Sequence, residues 1–434
     1  MLNPYFTQKA GGDSSFTVEA PKIKFGWGSL REVGDDAQAL GMNRVALFVD
    51  PQVVDLEPLS TVREALKRSG VDYELFTEVE VEPTDRSFRN AARFSQEGRF
   101  DGFLSVGGGS TMDTAKAANL YATHPADLLE YVNAPIGKAA PVPGPLRPHI
   151  ACPTTFGTAS ECTGIAICDF LDLEVKSGVA HAFLRPSLGV LDPSVLRTLP
   201  TPVRAANGFD VFSHACESIT ARPFTHRAAP EHSSRRPLSQ GANPYSDIAC
   251  LQAIEYIGKH LLPALSDPQA DEPLEGLMFA GMLAGIGFGN AGCHVPHGMA
   301  YAVAGLVRDY QPEGWNANHP MVPHGTSVIV NAPAVFRKTG AACPERHLKA
   351  AEALGMDVAD VPEEAAGEAL AQQVIRMMKE ARLPNGISGV GYTEADLPGL
   401  TERAWAQQRL IVNAPLELSE PDLSDLFRNA MRYW

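Results

Sequence analysis

GFLSVGGGSTMDTAK, at residues 102–116, places a short apolar run directly before three glycines and a helix-forming segment. The residues Gly102–Val106 predict a buried strand, and Ser110 predicts the start of a helix. Glycines at such a junction let the backbone approach a pyrophosphate closely, and the helix N-terminus favours its negative charge. Gly107–Ser110 therefore predicts a phosphate-binding turn, although a tight turn without a ligand explains the glycines equally well.

Strand and helix patterns alternate along the chain before these glycines. The predicted strands are Arg44–Asp50 and Tyr73–Val79, and the predicted helices cover residues 60–70 and 84–99. A glycine at residue 70 and the capping residues at 84 and 85 mark helix ends. Strands that alternate with helices of this length predict an α/β domain with a parallel, doubly wound sheet.

The pattern changes after about residue 200 of the chain. Alanine- and leucine-rich helical segments are predicted at 203–221, 246–266, 273–290, 346–356, 362–382 and 420–432. The 434 residues of the chain exceed the roughly 250–300 that one hydrophobic core supports, so two domains are expected. We predict a dinucleotide-binding α/β domain at 1–199 and an all-helical metal-binding catalytic domain at 200–434.

Bulk properties narrow the class of protein. The net charge of −15 argues against a nucleic-acid partner, which needs a basic footprint. Seven cysteines without a CxxC pair indicate neither a disulfide framework nor a structural zinc site. The N-terminus shows no signal or transit peptide, and no apolar run approaches the ~18–20 residues of a membrane span. We therefore expect a cytoplasmic protein without a membrane partner.

The glycine turn differs from the usual dinucleotide fingerprint, in which the glycines follow the first strand. Here they follow the third predicted strand, and Asp50 ends the first. A carboxylate there can accept hydrogen bonds from ribose hydroxyls and would repel a 2′-phosphate, which favours NAD over NADP; an ordinary Asp-Pro turn is the alternative. A second polar loop, PTTFGTASE at 153–161, can bind phosphate or the nicotinamide amide, although its composition alone favours a plain turn.

Asp210 and His214 are spaced i, i+4 in GFDVFSHACESI, so a helix would present both on one face. His297 and His324 each stand in a Val-Pro-His-Gly tetrapeptide. Three imidazoles and one carboxylate suit a divalent metal such as Fe(II), Zn(II), Mn(II) or Ni(II). The residues alone leave the ligand set open, because two further histidines, at 294 and 319, lie close by.

Five motifs together resemble those of the iron-containing (group III) alcohol dehydrogenases. They are GGGSTMDTAK (107–116), PTTFGTASE (153–161), GFDVFSHACES (208–218), HVPHGMAY (294–301) and VPHG (322–325). Their order and spacing also match that family, over nearly the whole chain. The resemblance implies an N-terminal dinucleotide-binding domain, a C-terminal helical domain and an active site in the cleft between them.

The resemblance also implies roles for individual residues. The metal ligands, which we also count as catalytic, fall on Asp210, His214, His297 and His324. The cofactor contacts fall on Asp50, Gly107, Gly108, Gly109, Ser110, Asp113, Thr154, Thr155 and Thr158, with Lys116 on the helix of Asp113. Fe(II) is the metal that the family implies, with Zn(II) or another divalent ion as alternatives, and NAD is the implied cofactor. His294 is then expected beside the ligands or on the substrate side.

Two positions depart from the family pattern. Tyr301 stands where many members have a histidine that serves in proton transfer. We count Tyr301 among the catalytic residues, but a tyrosine with its ordinary pKa of about 10 is a poorer relay near neutral pH. Ala159 replaces a glycine of the family's Gly-Thr-Gly-Ser-Glu motif and would crowd that loop slightly.

A long loop at 222–244, rich in Pro, Ser, His and Arg, is an insertion relative to simple members of the family. With this loop the chain is similar to the hydroxyacid–oxoacid transhydrogenases, which oxidise 4-hydroxybutyrate and reduce 2-oxoglutarate through a cofactor that stays bound. A conventional NAD-dependent dehydrogenase of small primary alcohols is the alternative. We also expect a homo-oligomer, a dimer, and hypothesise that Arg235, Arg236 or Lys138 binds the substrate carboxylate.

Overall fold

The computed structural model describes residues 5, 9–173, 175–315 and 319–434, which fall into two compact units. The first unit is Ala20–Leu199, and the second is Pro200–Trp434 together with the segment that ends at Glu19. We expected that N-terminal segment in the α/β domain, and this expectation is wrong. The segment groups with the helical residues because its side chains pair with them, as Asp13 does with Arg227 and Arg236.

The unit Ala20–Leu199 alternates strands and helices. Its strands are β1 (Lys22–Phe25), β2 (Arg44–Val49), β3 (Asp72–Phe76), β4 (Gly102–Gly107), β5 (His149–Pro153), β6 (Ile165–Phe170), β7 (Val175–Ala180) and β8 (Leu188–Leu191). Its α-helices are α1 (Val33–Ala39), α2 (Glu57–Arg68), α3 (Asp85–Glu97), α4 (Gly109–Thr123) and α5 (Leu128–Tyr131). In this described part of the chain, six strands form one parallel sheet in the order β1-β8-β5-β4-β2-β3, and β6 pairs with β7 antiparallel.

The parallel α/β architecture predicted from the sequence is confirmed. Strands β2 and β4 are buried along nearly their whole length, as inner strands of a parallel sheet are when helices cover both faces. The boundaries differ slightly from the predicted ones. Helix α2 begins before residue 60, because Pro58 occupies the first turn, where proline is favoured. Thr84 caps α3 in a capping box, as its side chain suggested.

Three loops leave neighbouring strands at the carboxyl edge of this sheet. Val49 of β2 lies opposite Val106 of β4, and Gly107 of β4 lies opposite Pro153 of β5. The chain leaves β2 toward β3 on one side and β4 toward β5 on the other, so the sheet reverses its order between β2 and β4. Ligands of open parallel sheets bind at such a reversal. Asp50, the glycine turn and the 153–161 loop all begin there.

The described residues of the second unit are mainly helical. Its helices are α6 (Thr201–Thr220), α7 (Pro244–Ser266), α8 (Asp271–Ala291), α9 (Val295–Gly305), α10 (His324–Ile329), α11 (Ala332–Thr339), α12 (Pro344–Ala353), α13 (Ala366–Glu380), α14 (Leu397–Trp405), α15 (Gln408–Ile411) and α16 (Glu420–Asn429). The six segments predicted from composition correspond to α6, α7, α8, α12, α13 and α16. Helices α9, α10, α11, α14 and α15 were not predicted. Of these, α10 and α15 have only six and four residues, which carry little periodic pattern.

Helix α8 is long and apolar enough, by length and composition alone, to cross a membrane. The expectation that no segment approaches this threshold is therefore wrong. The most apolar window of the helix is 72% buried inside the protein, as in the core helix of a soluble protein. Helices α6 and α7 supply its neighbours.

The insertion at 222–244 folds against the N-terminal segment. The buried carboxylate of Asp13 accepts hydrogen bonds from Arg227 and from Arg236, the latter at 2.9 and 3.0 Å. The hydrogen bonds from Arg236 hold the pKa of Asp13 at about 2, below its ordinary value and against the effect of burial. The amide of Thr17 donates to the Gln240 side chain at 2.8 Å. The insertion is thus anchored by charge pairs and by main-chain hydrogen bonds.

Candidate functional site

The four predicted metal ligands converge inside the helical unit. Asp210 and His214 stand one turn apart on α6, His297 is near the start of α9, and His324 begins α10. The Oδ1 atom of Asp210 lies 3.8, 3.7 and 3.6 Å from the Nε2 atoms of His214, His297 and His324, respectively. One ligand atom from each residue lies within 4.8 Å of all the others. This spacing leaves room for one cation at the centre.

Two polar atoms that face the centre of this group have no hydrogen-bond partner among the described residues. Asp210 Oδ1 and His297 Nε2 are buried and make no hydrogen bond with any residue that the structure describes. Buried polar atoms are rarely unpaired, and a bound ion or water is the usual partner of those that make no contact with the protein. Since one carboxylate and three imidazoles suit a divalent first-row metal, these residues fit such an ion. The His324 side chain is 29% exposed, so access to the group remains on its side.

The protonation states of Asp210 and His214 also suit metal binding. Burial alone would raise the pKa of Asp210, but the facing imidazoles of His214, His324 and His297 hold it well below its ordinary value. Burial lowers the pKa of His214 to about 4, which leaves this ring neutral near pH 7. A metal needs an ionised carboxylate and neutral imidazoles.

The glycines after the two histidine ligands permit close helix packing. A Cβ atom at Gly325 would lie 2.0 Å from the Ala206 carbonyl oxygen and 2.9 Å from the Asp210 Cβ atom. A Cβ atom at Gly298 would lie 2.9 Å from Ile411. Only glycine therefore lets α10 approach α6 closely enough for its histidine to face Asp210.

Two residues that were not predicted from the sequence hold the ligand rings. Glu217 on α6 accepts a hydrogen bond from His297 Nδ1 at 2.6 Å and one from the His294 amide at 2.7 Å. Phe288 stacks on His214 with the ring centroids 4.0 Å apart and the planes 7° from parallel. The signal for Glu217 was readable, because it follows Asp210 by two helical turns on one face. The sequence held no comparable signal for Phe288.

A Glu217→Gln variant is expected to bind its metal about 10–100-fold more weakly, since a carboxylate on the outer nitrogen orients a ligating histidine and raises its basicity. The measurement is a metal titration with a competing chelator, run beside thermal unfolding to confirm folding. Glu255→Gln, at an exposed position on α7, is the matched control and should bind as the wild type does. Unchanged affinity in Glu217→Gln would show that this carboxylate does not support the site.

The alternative ligands lie elsewhere. The His294 ring pairs with the Thr220 hydroxyl at 2.9 Å and is fully buried, whereas His319 is exposed. Within the part of the chain that the structure describes, neither joins the group of four. Tyr301 is half-buried on α9, one turn beyond His297.

The glycine turn and the 153–161 loop pack against each other in the α/β unit. The amide of Thr154 donates to the Gly107 carbonyl at 2.9 Å. A Cβ atom at Gly108 would lie 3.3 Å from Thr155, and one at Gly109 would lie 2.6 Å from Thr158. No side chain of the described residues caps α4, which begins at Gly109. Its first amides and these threonines therefore form one polar surface suited to a pyrophosphate.

Asp50 follows β2 directly and is half-buried. Its amide donates to the Val106 carbonyl at 3.3 Å, and one carboxylate oxygen accepts from the Gln52 amide at 2.8 Å. Burial raises the pKa of this carboxyl above its ordinary value. Asp50 thus caps the turn after β2. Its second carboxylate oxygen makes no hydrogen bond with the residues that the structure describes.

Asp113 and Lys116 have interior roles. The Asp113 carboxylate accepts hydrogen bonds from the Ser160 hydroxyl at 2.5 Å and the Ile167 amide at 3.0 Å. The buried Lys116 ammonium donates to the same hydroxyl at 2.5 Å. These contacts attach the 153–161 loop to α4. Ser110 is more accessible, and its hydroxyl accepts from the Glu82 amide at 3.2 Å.

The basic residues proposed to bind a substrate carboxylate are already ion-paired. Arg236 is engaged by Asp13, and Lys138 pairs with Glu130 at 2.7 Å. Arg235 is exposed and lies 3.4 Å from an exposed glutamate. The guanidinium of Arg236 in particular already binds both carboxylate oxygens of Asp13.

Two family models match the chain. "Iron-containing alcohol dehydrogenase" matches residues 20–193, and "Fe-containing alcohol dehydrogenase family, C-terminal" matches residues 204–431. The chain belongs to the iron-containing alcohol dehydrogenase family. It is therefore an oxidoreductase, as the sequence predicted.

Individual iron-containing alcohol dehydrogenases and their relatives are similar over almost the whole chain. The mitochondrial hydroxyacid–oxoacid transhydrogenases of Bos taurus and Homo sapiens are 44% and 42% identical, over 97% of this chain and 91% of their own lengths. A crystal structure of 1,3-propanediol oxidoreductase is 27% identical with a TM-score of 0.84, over 96% of this chain and all of its own. The sulfoacetaldehyde reductase of Bifidobacterium kashiwanohense, solved with NAD+, shares the fold at 20% identity and a TM-score of 0.77, over 96% and 99%.

The relatives in this family also correct one prediction. We expected a cytoplasmic location, and the curated relatives contradict it, because they are named as mitochondrial proteins. The cytoplasmic prediction rested on the absence of a recognisable leader, which is weak ground for a location. The oligomeric state stays a prediction.

Proposed function

We propose that this chain is a metal-dependent hydroxyacid–oxoacid transhydrogenase, which moves a hydride from 4-hydroxybutyrate to a bound nicotinamide and then to 2-oxoglutarate. The observation that carries the proposal is the convergence of Asp210, His214, His297 and His324, which place one ligand atom each within 4.8 Å of all the others. Identity of 42–44% to transhydrogenases over 97% of the chain supports the choice of acids over simple alcohols.

The metal site is proposed for Asp210, His214, His297 and His324, with Fe(II) as the ion because the family is iron-containing. The same ligands suit Zn(II) or another divalent ion. When bound, the ion would act as a Lewis acid toward the reacting oxygen of the substrate. The chain's own contribution is rigidity, since Glu217 and Phe288 fix two of the rings. Tyr301, one turn beyond a ligand, remains our candidate for a proton-transfer role.

The cofactor is proposed to be NAD, held in the α/β unit. The residues are Asp50, Gly107, Gly108, Gly109, Ser110, Thr154, Thr155 and Thr158. The uncapped start of α4 favours the pyrophosphate charge. An ionised Asp50 would accept hydrogen bonds from ribose hydroxyls and repel the 2′-phosphate of NADP. Asp113 acts in this proposal through Ser160, by positioning the loop that carries the threonines.

The purified protein, given 4-hydroxybutyrate and 2-oxoglutarate without added nucleotide, is expected to form succinic semialdehyde and 2-hydroxyglutarate in equal amounts. The reason is that electrons given to a retained cofactor in one half-reaction leave it in the other. Product quantitation, with metal and nucleotide analysis of the same sample, checks the result. Simple alcohols with added NAD form the comparison. Turnover of those alcohols alone, and only with added NAD, would favour a conventional dehydrogenase.

A further inference from the structure

Arg222 lies just after α6, at the start of the insertion, and is half-buried. Its Nε atom is buried and has no hydrogen-bond partner, and its guanidinium makes no ion pair with any residue in the described ranges of the chain. Burial, with a smaller effect of Arg227, lowers the pKa of this group. A guanidinium in such a setting is costly unless an acceptor meets it.

The other arginines of this region have carboxylate partners. Arg227 and Arg236 share Asp13, and Arg346 binds both oxygens of Asp247 at 3.0 Å. These pairs show how the region neutralises a partly buried guanidinium. Arg222 is the arginine here for which the described residues supply no such partner. An anionic ligand would supply the acceptor that the guanidinium of Arg222 lacks.

The backbone connects Arg222 to the ligand group. Its amide donates to the Asn413 carbonyl at 3.0 Å, and the Asn413 side chain donates to the Cys293 carbonyl at 3.0 Å, one turn before His297. Thr220, the last residue of α6, lies about 9 Å along the helix axis from His214. An arginine side chain can span this distance together with a short substrate, in which two carbons separate the reacting carbon from a carboxylate.

We propose that Arg222 binds the carboxylate that both substrates carry at the same distance from the reacting carbon. This inference rests on the proposed function. In 4-hydroxybutyrate and in 2-oxoglutarate, two methylene groups separate the reacting carbon from a carboxylate. One guanidinium at a fixed distance therefore holds either acid in turn, through two parallel hydrogen bonds. The second carboxylate of 2-oxoglutarate adjoins the reacting carbon and lies away from this anchor.

An Arg222→Met variant is expected to lose about 100-fold in kcat/KM for 4-hydroxybutyrate, since a desolvated charge pair is removed. It should change kcat/KM for 1-butanol, measured with a carboxylate-free aldehyde as the hydride acceptor, by less than about threefold, because neither substrate has a carboxylate. Arg222→Lys should fall between, since it keeps the charge and loses the fork. Arg428→Met, at an exposed position on α16, is the matched control and should behave as the wild type.

An equal loss for the acid and the alcohol, or no loss for either, would overturn the role of Arg222. Thermal unfolding and metal content are measured on each variant. If Arg222→Met does not fold, Arg222→Lys still decides, because an unchanged ratio of acid to alcohol kcat/KM in that variant contradicts the anchor. Failure of the wild type to convert either acid would instead contradict the proposed function itself.

Discussion

An Asp210→Asn variant is expected to purify without its metal ion and to lose at least about 10³-fold in turnover. This loss exceeds the roughly 10–100-fold expected when a carboxylate that only orients a ligand, such as Glu217, is removed. Asparagine keeps the shape of the side chain but removes the one negative charge among the four ligands. Asp210 Oδ1 is also the atom that all three histidine nitrogens face, within 3.6–3.8 Å. Metal content per chain and turnover with the acid pair are the measurements.

His319→Ala is the control for this prediction, because His319 was an alternative ligand but is exposed and outside the group. That variant should retain the metal and full turnover. Circular dichroism and thermal unfolding show whether Asp210→Asn keeps its fold. A folded Asp210→Asn protein that still holds stoichiometric metal would contradict the proposed ligand set.

A Gly109→Val variant is expected to lose its bound nucleotide and at least about 100-fold in turnover, while its metal content stays unchanged. Any Cβ atom at this position would lie 2.6 Å from the Thr158 hydroxyl, so the 153–161 loop must move away from the start of α4. The larger side chain would also occupy the space that a pyrophosphate needs. Nucleotide released on denaturation, and turnover with and without added NAD, are the measurements.

Gly144→Val tests whether the effect of Gly109→Val is local. A Cβ atom at Gly144 would lie 3.8 Å from the nearest atom, in the His124 ring, which is an ordinary contact. This variant should keep nucleotide and turnover. Retention of nucleotide by Gly109→Val would mean that the glycine turn does not hold the cofactor.

Much of the fold was predictable because its signals are local. The apolar run of β4, the glycines after it and the helix of α4 stand next to one another in the chain, so their pattern survives without tertiary information. The same holds for Asp210 and His214, whose spacing matches one turn of α6. Joining them to His297 and His324 needed the family resemblance, because nothing local links these segments.

The contacts that the sequence did not predict join residues far apart in the chain. Arg236 looked like a free cation in a basic loop, but its partner Asp13 is 223 positions earlier. The docking of the N-terminal segment onto the helical unit was missed for the same reason. Pairing of β1 with β8 likewise joins distant segments. Charge patterns reveal which side chains are cationic, and only the fold reveals which of them already have acceptors.

The pairing of Asp13 with Arg227 and Arg236 has a consequence for how such a chain evolves. A lineage that deleted the insertion would leave a buried aspartate without a cation, and one that lost the aspartate would leave two arginines without an anion. Either intermediate is expected to be less stable than the intact chain. We therefore expect that a deletion of either the insertion or the stretch around Asp13 is tolerated only when the other is removed as well, although the length of a domain separates them in the gene.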